Sequence, residues 1–298
     1  MHRYILKKAL ISFLMLTGLV FCQNIRVCIN NKGNNPVIHT LDIEEYLTGV
    51  LSKEMDALWP EEALKAQAVV SRTFAMYMKE ESRKQGLKYD IENSIYHQVY
   101  NANNSAKIKK TVRETEGEIL TYEGNLVQVF FHSNCSGKTA KTSDVWGGAL
   151  LHLSSVDDPF CVDTPYSDWK KTFHQNNLSK IFGVTAIKKI VVEERDATGR
   201  VTSLRLTGKD GNIICLTGHR LRMIVNQGKG ALFQSPDIIP STNFNVRKEG
   251  DYFVFTGKGY GHGVGMCQWG AKKMAEDGYN YLQILRHYFP EMELSQIK

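Results

Sequence analysis

Residues 41–76 read LDIEEYLTGVLSKEMDALWPEEALKAQAVVSRTFAM, and this stretch decides the fold of the chain. Its spacing predicts two helices that are joined at a corner formed by Trp59 and Pro60. Proline lacks a backbone N–H, so the first turn of a helix tolerates it. Glu61 and Glu62 follow, where the positive end of the helix dipole favours acidic side chains. We therefore expect a second helix to begin at about Glu61.

The first helix has one apolar face that ends in a carboxylate. Apolar side chains recur at helical spacing and predict a buried stripe, which consists of Ile43, Tyr46, Leu47, Val50 and Leu51. Glu54 continues this stripe by one turn. Burial makes ionisation costly and raises the pKa of a carboxyl, and an acid protonated near neutral pH is able to act as a general acid. The alternative is that the helix ends before Glu54, which would then face water.

The second helix is expected to run from Glu61 to about Lys79. It is rich in small residues, namely Ala63, Ala66, Ala68, Ser71 and Ala75. Small side chains allow another helix to approach closely, which predicts a central position in the fold. Lys65 and Arg72 are seven residues apart and share one face. They form either a solvated stripe or a cationic edge beside Glu54.

The composition predicts a folded and exported protein. The chain has 298 residues, of which 42% are hydrophobic and 23% are charged, so it can bury one large core or two smaller ones. Residues 1–22 combine a basic start with 14 mostly apolar residues, which is the layout of a secretory signal. The apolar run is shorter than the ~20 residues of a spanning helix. Residues 1–22 are therefore expected to be a signal peptide or, alternatively, a retained membrane anchor.

Charge and cysteine content narrow the classes of partner. Without Arg3, Lys7 and Lys8 of the signal, 34 basic residues remain against 31 acidic ones, and the net charge falls from +6 to about +3. This mild excess forms no basic stripe, which argues against nucleic acid as a partner. If Cys22 leaves with the signal, five cysteines remain and at least one thiol is unpaired. Export permits disulfides, whose pairing the spacing does not fix.

Two further stretches organise the second half of the chain. Residues 172–243 alternate β-rich runs with good hairpin turns and predict an inserted subdomain of one meander plus a helix. Residues 23–171 and 244–298 then form the core. Five glycines alternate over residues 257–265 and permit unusual backbone angles, but the Lys-Ser end of a phosphate-binding loop is absent. The predicted fold is α+β, with a helical core packed on a mixed β-sheet and a smaller β-rich insert.

Five blocks of the chain stand in a fixed order and carry a family resemblance. They are Tyr46–Val50 with Glu54 and Met55, Trp59–Val69 with Arg72 and Thr73, Thr115–Tyr122, His132–Thr139 with Trp146, and Gly259–Met266 with Gln268–Ala271. Together they resemble the stage II sporulation protein D (SpoIID) family, which has an amidase-enhancer branch known as LytB. The blocks span nearly all of the chain after the signal.

The resemblance implies a lytic transglycosylase that acts on peptidoglycan, in the periplasm or cell wall at the outer face of the cytoplasmic membrane. Such an enzyme cleaves the β-1,4 bond between N-acetylmuramic acid and N-acetylglucosamine, prefers strands stripped of stem peptides, and leaves a 1,6-anhydro product. An amidase that strips the strands is the implied partner, and Glu54 is the implied catalytic acid. The alternative is a non-catalytic glycan-binding protein that enhances a cell-wall amidase.

The matching blocks also suggest residues that hold the substrate. Lys65 and Arg72 are expected to bind carboxyl or acetamido oxygens of the sugars. Tyr260 is expected to stack on a sugar face, and His262 and Gln268 to line the floor of the cleft. For His262 the alternative is a histidine bonded only to the backbone of its own loop.

The implied chemistry requires no cofactor, and no metal ligand is assigned. Zinc has been seen in some relatives, and His132 with Cys135 and Cys161 could hold a metal, but this spacing is not diagnostic and a structural loop or a disulfide is the alternative. The chain departs from the family pattern at Asp56, where proline is usual, and at Cys267, where serine is usual. Asp56 could shift the pKa of the nearby acid, and Cys267 raises the alternative of a cysteine nucleophile.

Overall fold

A computed structural model describes residues 23–30, 36–94, 97–102, 105–227 and 238–297, and it confirms the predicted α+β class. In this part of the chain the helices are α1 (Ile43–Glu54), α2 (Glu61–Lys84), α3 (Ala106–Glu114), α4 (Thr142–Trp146), α5 (Gln175–Phe182), α6 (Gly218–Asn226), α7 (Gln268–Glu276) and α8 (Tyr281–Tyr288). The strands are β1 (Asn24–Asn30), β2 (Val37–Asp42), β3 (Ile91–Glu92), β4 (Glu118–Tyr122), β5 (Asn125–Leu126), β6 (Phe131–His132), β7 (Trp169–His174), β8 (Ile187–Arg195), β9 (Val201–Gly208), β10 (Ile213–Leu216), β11 (Phe244–Glu249), β12 (Tyr252–Gly257), β13 (Met266–Cys267) and β14 (Glu293–Gln296).

The predicted signal or anchor, residues 1–22, lies outside the described residues. Among the residues that are described, no helix is both long enough and apolar enough to cross a membrane.

The two helices predicted within residues 41–76 are present. The side chain of Asp42 caps α1 by accepting the backbone N–H groups of Glu44 and Glu45 at 2.9 and 3.2 Å. Glu54 is the last residue of α1, so the alternative of an earlier end is wrong. Pro60 occupies the position just before α2, which continues beyond its predicted end to Lys84.

The central element of the first hydrophobic core is α2. Its small residues Ala63, Ala66, Ala68 and Ala75 are fully buried. Because their side chains are short, α1, α3, α7, α8 and β4 all pack around this helix. The central position predicted from the small residues is confirmed.

Three small sheets border this core in place of one larger sheet. The sheet β2-β1-β3 is mixed, since β1 pairs antiparallel with β2 and parallel with β3. The sheet β14-β4-β5 is antiparallel. In the third, β6 pairs parallel with β13, which places His132 opposite Cys267. The loop after His132 and the start of α7 are therefore neighbours.

A second core is built by the β-rich part of the chain. β8, β9 and β10 form an antiparallel meander, and β7 pairs with β12, which pairs with β11. The sequence predicted an insert that ends at residue 243, yet Phe244, Phe253 and Phe255 from the β11–β12 hairpin are buried in this second core. They belong to it because β12 is hydrogen-bonded to β7, at the start of the same unit.

Candidate active site

A cleft of about 390 Å³ is lined by residues from the elements around the first core, from helix α6 and from the glycine-rich segment. Glu54 ends α1 and Gln268 begins α7, whereas Arg222 lies on α6. Tyr260 and His262 belong to the glycine-rich segment, residues 257–265. Aromatic and imidazole rings complete the lining, chiefly Phe74, His97, Phe130, Phe131, His132, Trp146 and His219. The structure thus brings together four of the six predicted site residues.

Glu54 is the last residue of α1 and lines this cleft. Burial raises the pKa of its carboxyl to about 7, and hydrogen bonds from the Val99 backbone and the Gln268 side chain oppose that rise. The neighbouring Asp56 is exposed, and its Oδ1 accepts the backbone N–H of Leu58 at 2.9 Å, so it stabilises the corner before α2. Glu54 is therefore a carboxyl that exchanges its proton near neutral pH.

Two amide side chains, Gln268 and Gln67, form a hydrogen-bonded chain that begins at the backbone oxygen of Glu54. Gln268 Nε2 donates to the Glu54 backbone oxygen at 3.4 Å and to Gln67 Oε1 at 3.3 Å. Gln67 Nε2 in turn donates to Ser71 Oγ at 2.9 Å. Gln67 and Gln268 are both buried, so these bonds lie away from competing water. The chain joins α1, α2 and α7 at the site.

The segment that offers the Val99 N–H is also fixed. Tyr46 Oη donates to Gln98 Oε1 at 3.0 Å, and Gln98 Nε2 donates to the Ser71 backbone oxygen at 3.1 Å. Gln98 is buried. Both hydrogen-bond donors to the Glu54 carboxyl are consequently held by contacts to α2.

Two of the four histidines that line the cleft, His262 and His132, are neutral. Val264 N–H donates to His262 Nδ1 at 3.1 Å, which places the proton of His262 on Nε2. Burial, with His132 and Arg222 nearby, lowers the pKa of His262 well below its ordinary value. Burial likewise lowers the pKa of His132 to about 3, and His132 Nδ1 bonds the Val264 backbone oxygen at 3.1 Å. His262 bonds its own loop, as the alternative interpretation held, and also lines the cleft.

Glycines let the glycine-rich segment lie directly on the strand and loop around His132. Gly261 has φ +102°, and a Cβ there would come within 2.9 Å of the His132 Cβ. Gly265 has φ +73°, and a Cβ there would overlap the Phe130 carbonyl. This close approach places Tyr260 and His262 in the cleft, and the Tyr260 ring lies 5.6 Å from the ring of Tyr166.

Lys65 and Arg72 share a face of α2, as predicted, but neither lines the cleft. Arg72 is completely buried, and its Nε and Nη2 donate to the carboxylate of Glu44 at 2.8 and 2.6 Å. Lys65 Nζ pairs with Glu62 at 3.0 Å and with Glu114 at 2.9 Å. The structure supports a structural role for both residues in place of the predicted substrate-binding role.

Arg222 is a cleft residue that sequence reasoning missed. It lies in the insert, outside the five matching blocks, on a helix of nine residues. Its Nε donates to the Pro240 backbone oxygen at 3.0 Å. A single arginine on a short helix is a common surface pattern, so the sequence offered no signal that Arg222 lines the same cleft as Glu54.

Cys135 and Cys161, for which the sequence left a metal site, a structural loop or a disulfide open, converge with Cys267 and Asp158. Sγ of Cys135, Cys161 and Cys267 and a carboxylate oxygen of Asp158 all lie within 4.8 Å of one another and are buried. His132 is outside this group. None of the four residues lines the cleft, so the position of Cys267 gives no support to a cysteine nucleophile.

Comparisons with known proteins agree with the residue blocks. A family model described as stage II sporulation protein matches residues 31–122, and a domain of unknown function matches residues 166–265. An uncharacterised protein of Brachyspira hyodysenteriae is 34% identical over 267 residues, which cover 87% of this chain and 68% of that protein. The stage II sporulation protein D of Bacillus amyloliquefaciens is 30% identical over 283 residues, which cover 89% of this chain and 77% of that protein. The amidase enhancer of Bacillus subtilis is 26% identical over 293 residues, which cover 84% of this chain and 40% of the enhancer. The chain belongs to the stage II sporulation protein D (SpoIID) family.

Proposed function

We propose that this protein is an exported lytic transglycosylase of the bacterial cell wall, with Glu54 as its catalytic acid and base. The observation that carries the proposal is the position of Glu54 in a cleft lined by aromatic and imidazole side chains, where burial raises its pKa to about 7. The substrate is the glycan strand of peptidoglycan, preferably stripped of its stem peptides. The compartment is the periplasm or cell wall.

One residue suffices for the acid and base steps of this reaction. Protonated Glu54 gives its proton to the glycosidic oxygen between N-acetylmuramic acid and N-acetylglucosamine, and the bond from C1 to that oxygen breaks. The resulting carboxylate takes the proton of the muramic C6 hydroxyl, whose oxygen bonds C1 and closes the 1,6-anhydro ring. Because the substrate supplies the nucleophile, the second carboxylate that ordinary glycoside hydrolases use is not needed. A positioned general acid of this kind contributes ~10²–10⁴-fold to the rate.

Two nitrogen groups of the cleft complement such a substrate. The Nε2–H of neutral His262 is a donor for hydroxyl or acetamido oxygens. Arg222 adds a cation to the lining of the same cleft, and a planar guanidinium is suited to a carboxylate. Removal of a stem peptide by an amidase exposes the lactyl carboxylate of muramic acid, so we assign Arg222 to that group. We assign Tyr260, which lines the same cleft, to contact with a sugar face.

The decisive experiment is digestion of amidase-stripped glycan strands by the purified full chain, followed by mass spectrometry. We expect fragments with 1,6-anhydro ends, and we expect Glu54→Gln to fold normally and release none. Glu45→Gln is the matched control, because it makes the same change at an exposed position of α1. If Glu54→Gln cleaves as fast as the control, Glu54 is not the acid.

The same digestion tests a second candidate function. The similarity to an amidase enhancer favours a protein that binds stripped glycan and stimulates an amidase without cleaving glycan itself. That function predicts binding without anhydro ends, and a faster amidase when the two proteins are mixed. Wild-type chain that gives no anhydro ends but stimulates the amidase would replace the first proposal by the second.

A further inference from the structure

His97 lines the cleft together with Glu54 and His262. The backbone N–H of Glu92 donates to His97 Nδ1 at 3.0 Å. A ring nitrogen that accepts a hydrogen bond carries no proton, so the proton of His97 is on Nε2. Burial lowers the pKa of His97, which favours this neutral form. His97 therefore offers the cleft an N–H donor without a positive charge.

The position of His97 is fixed from both sides along the chain. Before it lies β3, whose Glu92 holds the imidazole, and the His97 backbone N–H donates to the Ser94 oxygen at 3.2 Å. After it lies Gln98, which is buried and donates to the Ser71 backbone oxygen at 3.1 Å. An imidazole that is already ordered loses little conformational freedom when a ligand binds.

His262 presents a second donor of the same kind, and it lies among apolar rings. Its Nδ1 accepts the Val264 N–H, so its proton is also on Nε2. The centroid of its ring lies 5.2 Å from that of Trp146 and 6.0 Å from that of Phe130, and the rings of Phe130 and Trp146 are 4.7 Å apart. One N–H beside two apolar rings matches a ligand group that joins an acceptor oxygen to a methyl group.

The acetamido group of an N-acetylated sugar is such a group. Its carbonyl oxygen accepts a hydrogen bond, and its methyl packs on apolar rings. A sugar without the acetyl group carries an amine, which when protonated has three donors and no acceptor, so an N–H donor that faces it is left unpaired. Arg222 in the same cleft adds a positive charge, which repels an ammonium group.

We propose that His97 and His262 make the cleft selective for N-acetylated glycan, each donating its Nε2–H to an acetamido carbonyl oxygen of the strand. The inference rests on glycan as the ligand of the cleft, which both candidate functions share. It adds a requirement for acetyl groups on the sugars that meet these two histidines. Strands that have lost these acetyl groups are therefore poor ligands, whichever of the two functions holds.

A purely structural role is the competing interpretation of His97. In that role only Nδ1 matters, because it accepts the Glu92 N–H, and Nε2 has no function. Loss of the imidazole would then lower stability and affect every ligand of the cleft alike. Selectivity between ligands with and without acetyl groups separates the two roles.

The test measures binding of β-1,4-linked tetramers of N-acetylglucosamine, glucosamine and glucose to the purified full chain with Glu54→Gln. This change prevents cleavage and also removes the carboxylate with which an ammonium could pair. The glucose tetramer has neither acetyl group nor amine, so it separates loss of the acceptor from repulsion of charge. We expect the acetylated tetramer to bind at least ~10-fold more tightly than either of the others.

Variants at His97, made in the same Glu54→Gln chain, test its part in this selectivity. His97→Phe should weaken binding of the acetylated tetramer by about 3- to 10-fold, the value of one neutral hydrogen bond, and leave the glucosamine tetramer unaffected. His97→Gln keeps an N–H donor and should recover part of the loss. His39→Phe is the matched control, because His39 is exposed on β2 and does not line the cleft.

The comparison of the tetramers needs no change at His97, so it decides the matter even if His97→Phe does not fold. Acetylated and glucose tetramers that bind equally well, or an acetylated tetramer that does not bind, would overturn the proposal. An equal loss for every tetramer in His97→Phe would return His97 to a structural role. Cleavage is a separate readout, because acetyl selectivity without anhydro ends upholds this inference and removes the transglycosylase, whereas equally fast cleavage of acetylated and deacetylated strands does the reverse.

Discussion

Replacement of Glu54 by glutamine should change the pH dependence of stability as well as abolish cleavage. The pKa of this carboxyl rises from 4.5 to about 7 because the folded chain buries it. Since one pKa unit corresponds to about 1.4 kcal/mol, ionisation of Glu54 costs the folded state about 3 kcal/mol. Glutamine has nearly the same shape and never ionises.

The sign follows from which state loses its proton first. Below about pH 4.5 both folded and unfolded chains are protonated at this position, and the wild type bears no cost. Between about pH 4.5 and pH 7 the unfolded chain is ionised and the folded chain is not, so the free energy of unfolding falls as pH rises. Above about pH 7 the whole loss of about 3 kcal/mol persists, and the glutamine variant escapes it.

The assay is urea unfolding of wild type and Glu54→Gln at about pH 4 and about pH 8, followed by tryptophan fluorescence. From the lower to the higher pH, the stability of the variant relative to wild type should rise by about 3 kcal/mol. Glu45→Gln, on the exposed side of α1, should show no such change. If Glu54→Gln and wild type keep a constant difference across this range, Glu54 does not titrate near neutrality and the argument for a general acid fails.

Three other substitutions test the surroundings of the acid. Gln268→Ala removes a donor that lowers the pKa of Glu54, so the pH above which cleavage declines should move upward, and an unchanged pH–rate profile would contradict the contact. Arg72→Met removes a fully buried guanidinium from the half-buried carboxylate of Glu44 and should lower the free energy of unfolding by about 3–5 kcal/mol in urea titrations, with a loss below 1 kcal/mol ruling out a structural role. Arg222→Met should weaken binding of stripped strands by about 10- to 100-fold, the value of a hydrogen bond to a charged group, while strands that keep their stem peptides bind as before; an equal loss for both would show that Arg222 does not bind the lactyl carboxylate.

Local patterns predicted the helices because each helix carries its own periodicity. The apolar stripe of α1 led directly to Glu54, and the small residues of α2 indicated its central place. The bounds of the insert were harder to predict, because the β11–β12 hairpin joins the second core through the pairing of β12 with β7 and through packing that arises only in the folded chain. The strands β7 and β12 are about 80 residues apart, and the sequence of neither strand alone shows that they pair.

The sequence did not determine which partners the charged side chains of α2 would contact in the folded protein. Arg72 and Lys65 have the spacing of a cationic edge, and they do share a face. Whether that face meets substrate or carboxylates depends on Glu44 and Glu114, which reach it only after α1 and α3 have packed on α2. The same spacing is compatible with both outcomes, and tertiary packing selects the buried pair.

The Glu54 carboxyl is contacted by residues that are far away in sequence and have no periodic signature. Gln268 lies 214 positions after Glu54, and the β-rich part of the chain that builds the second core lies between them in sequence. The Gln268 side chain contacts Gln67 and the end of α1, so residues next to Gln268 in the sequence must hold it in position. Cys267 is the adjacent residue and the N-cap of α7, where its sulfur accepts the Gly270 N–H, and it packs in a buried cluster with Cys135, Asp158 and Cys161. The cysteine at position 267, where the family usually has serine, therefore affects Glu54 indirectly, because Cys267 caps the helix whose first residue, Gln268, donates to Glu54.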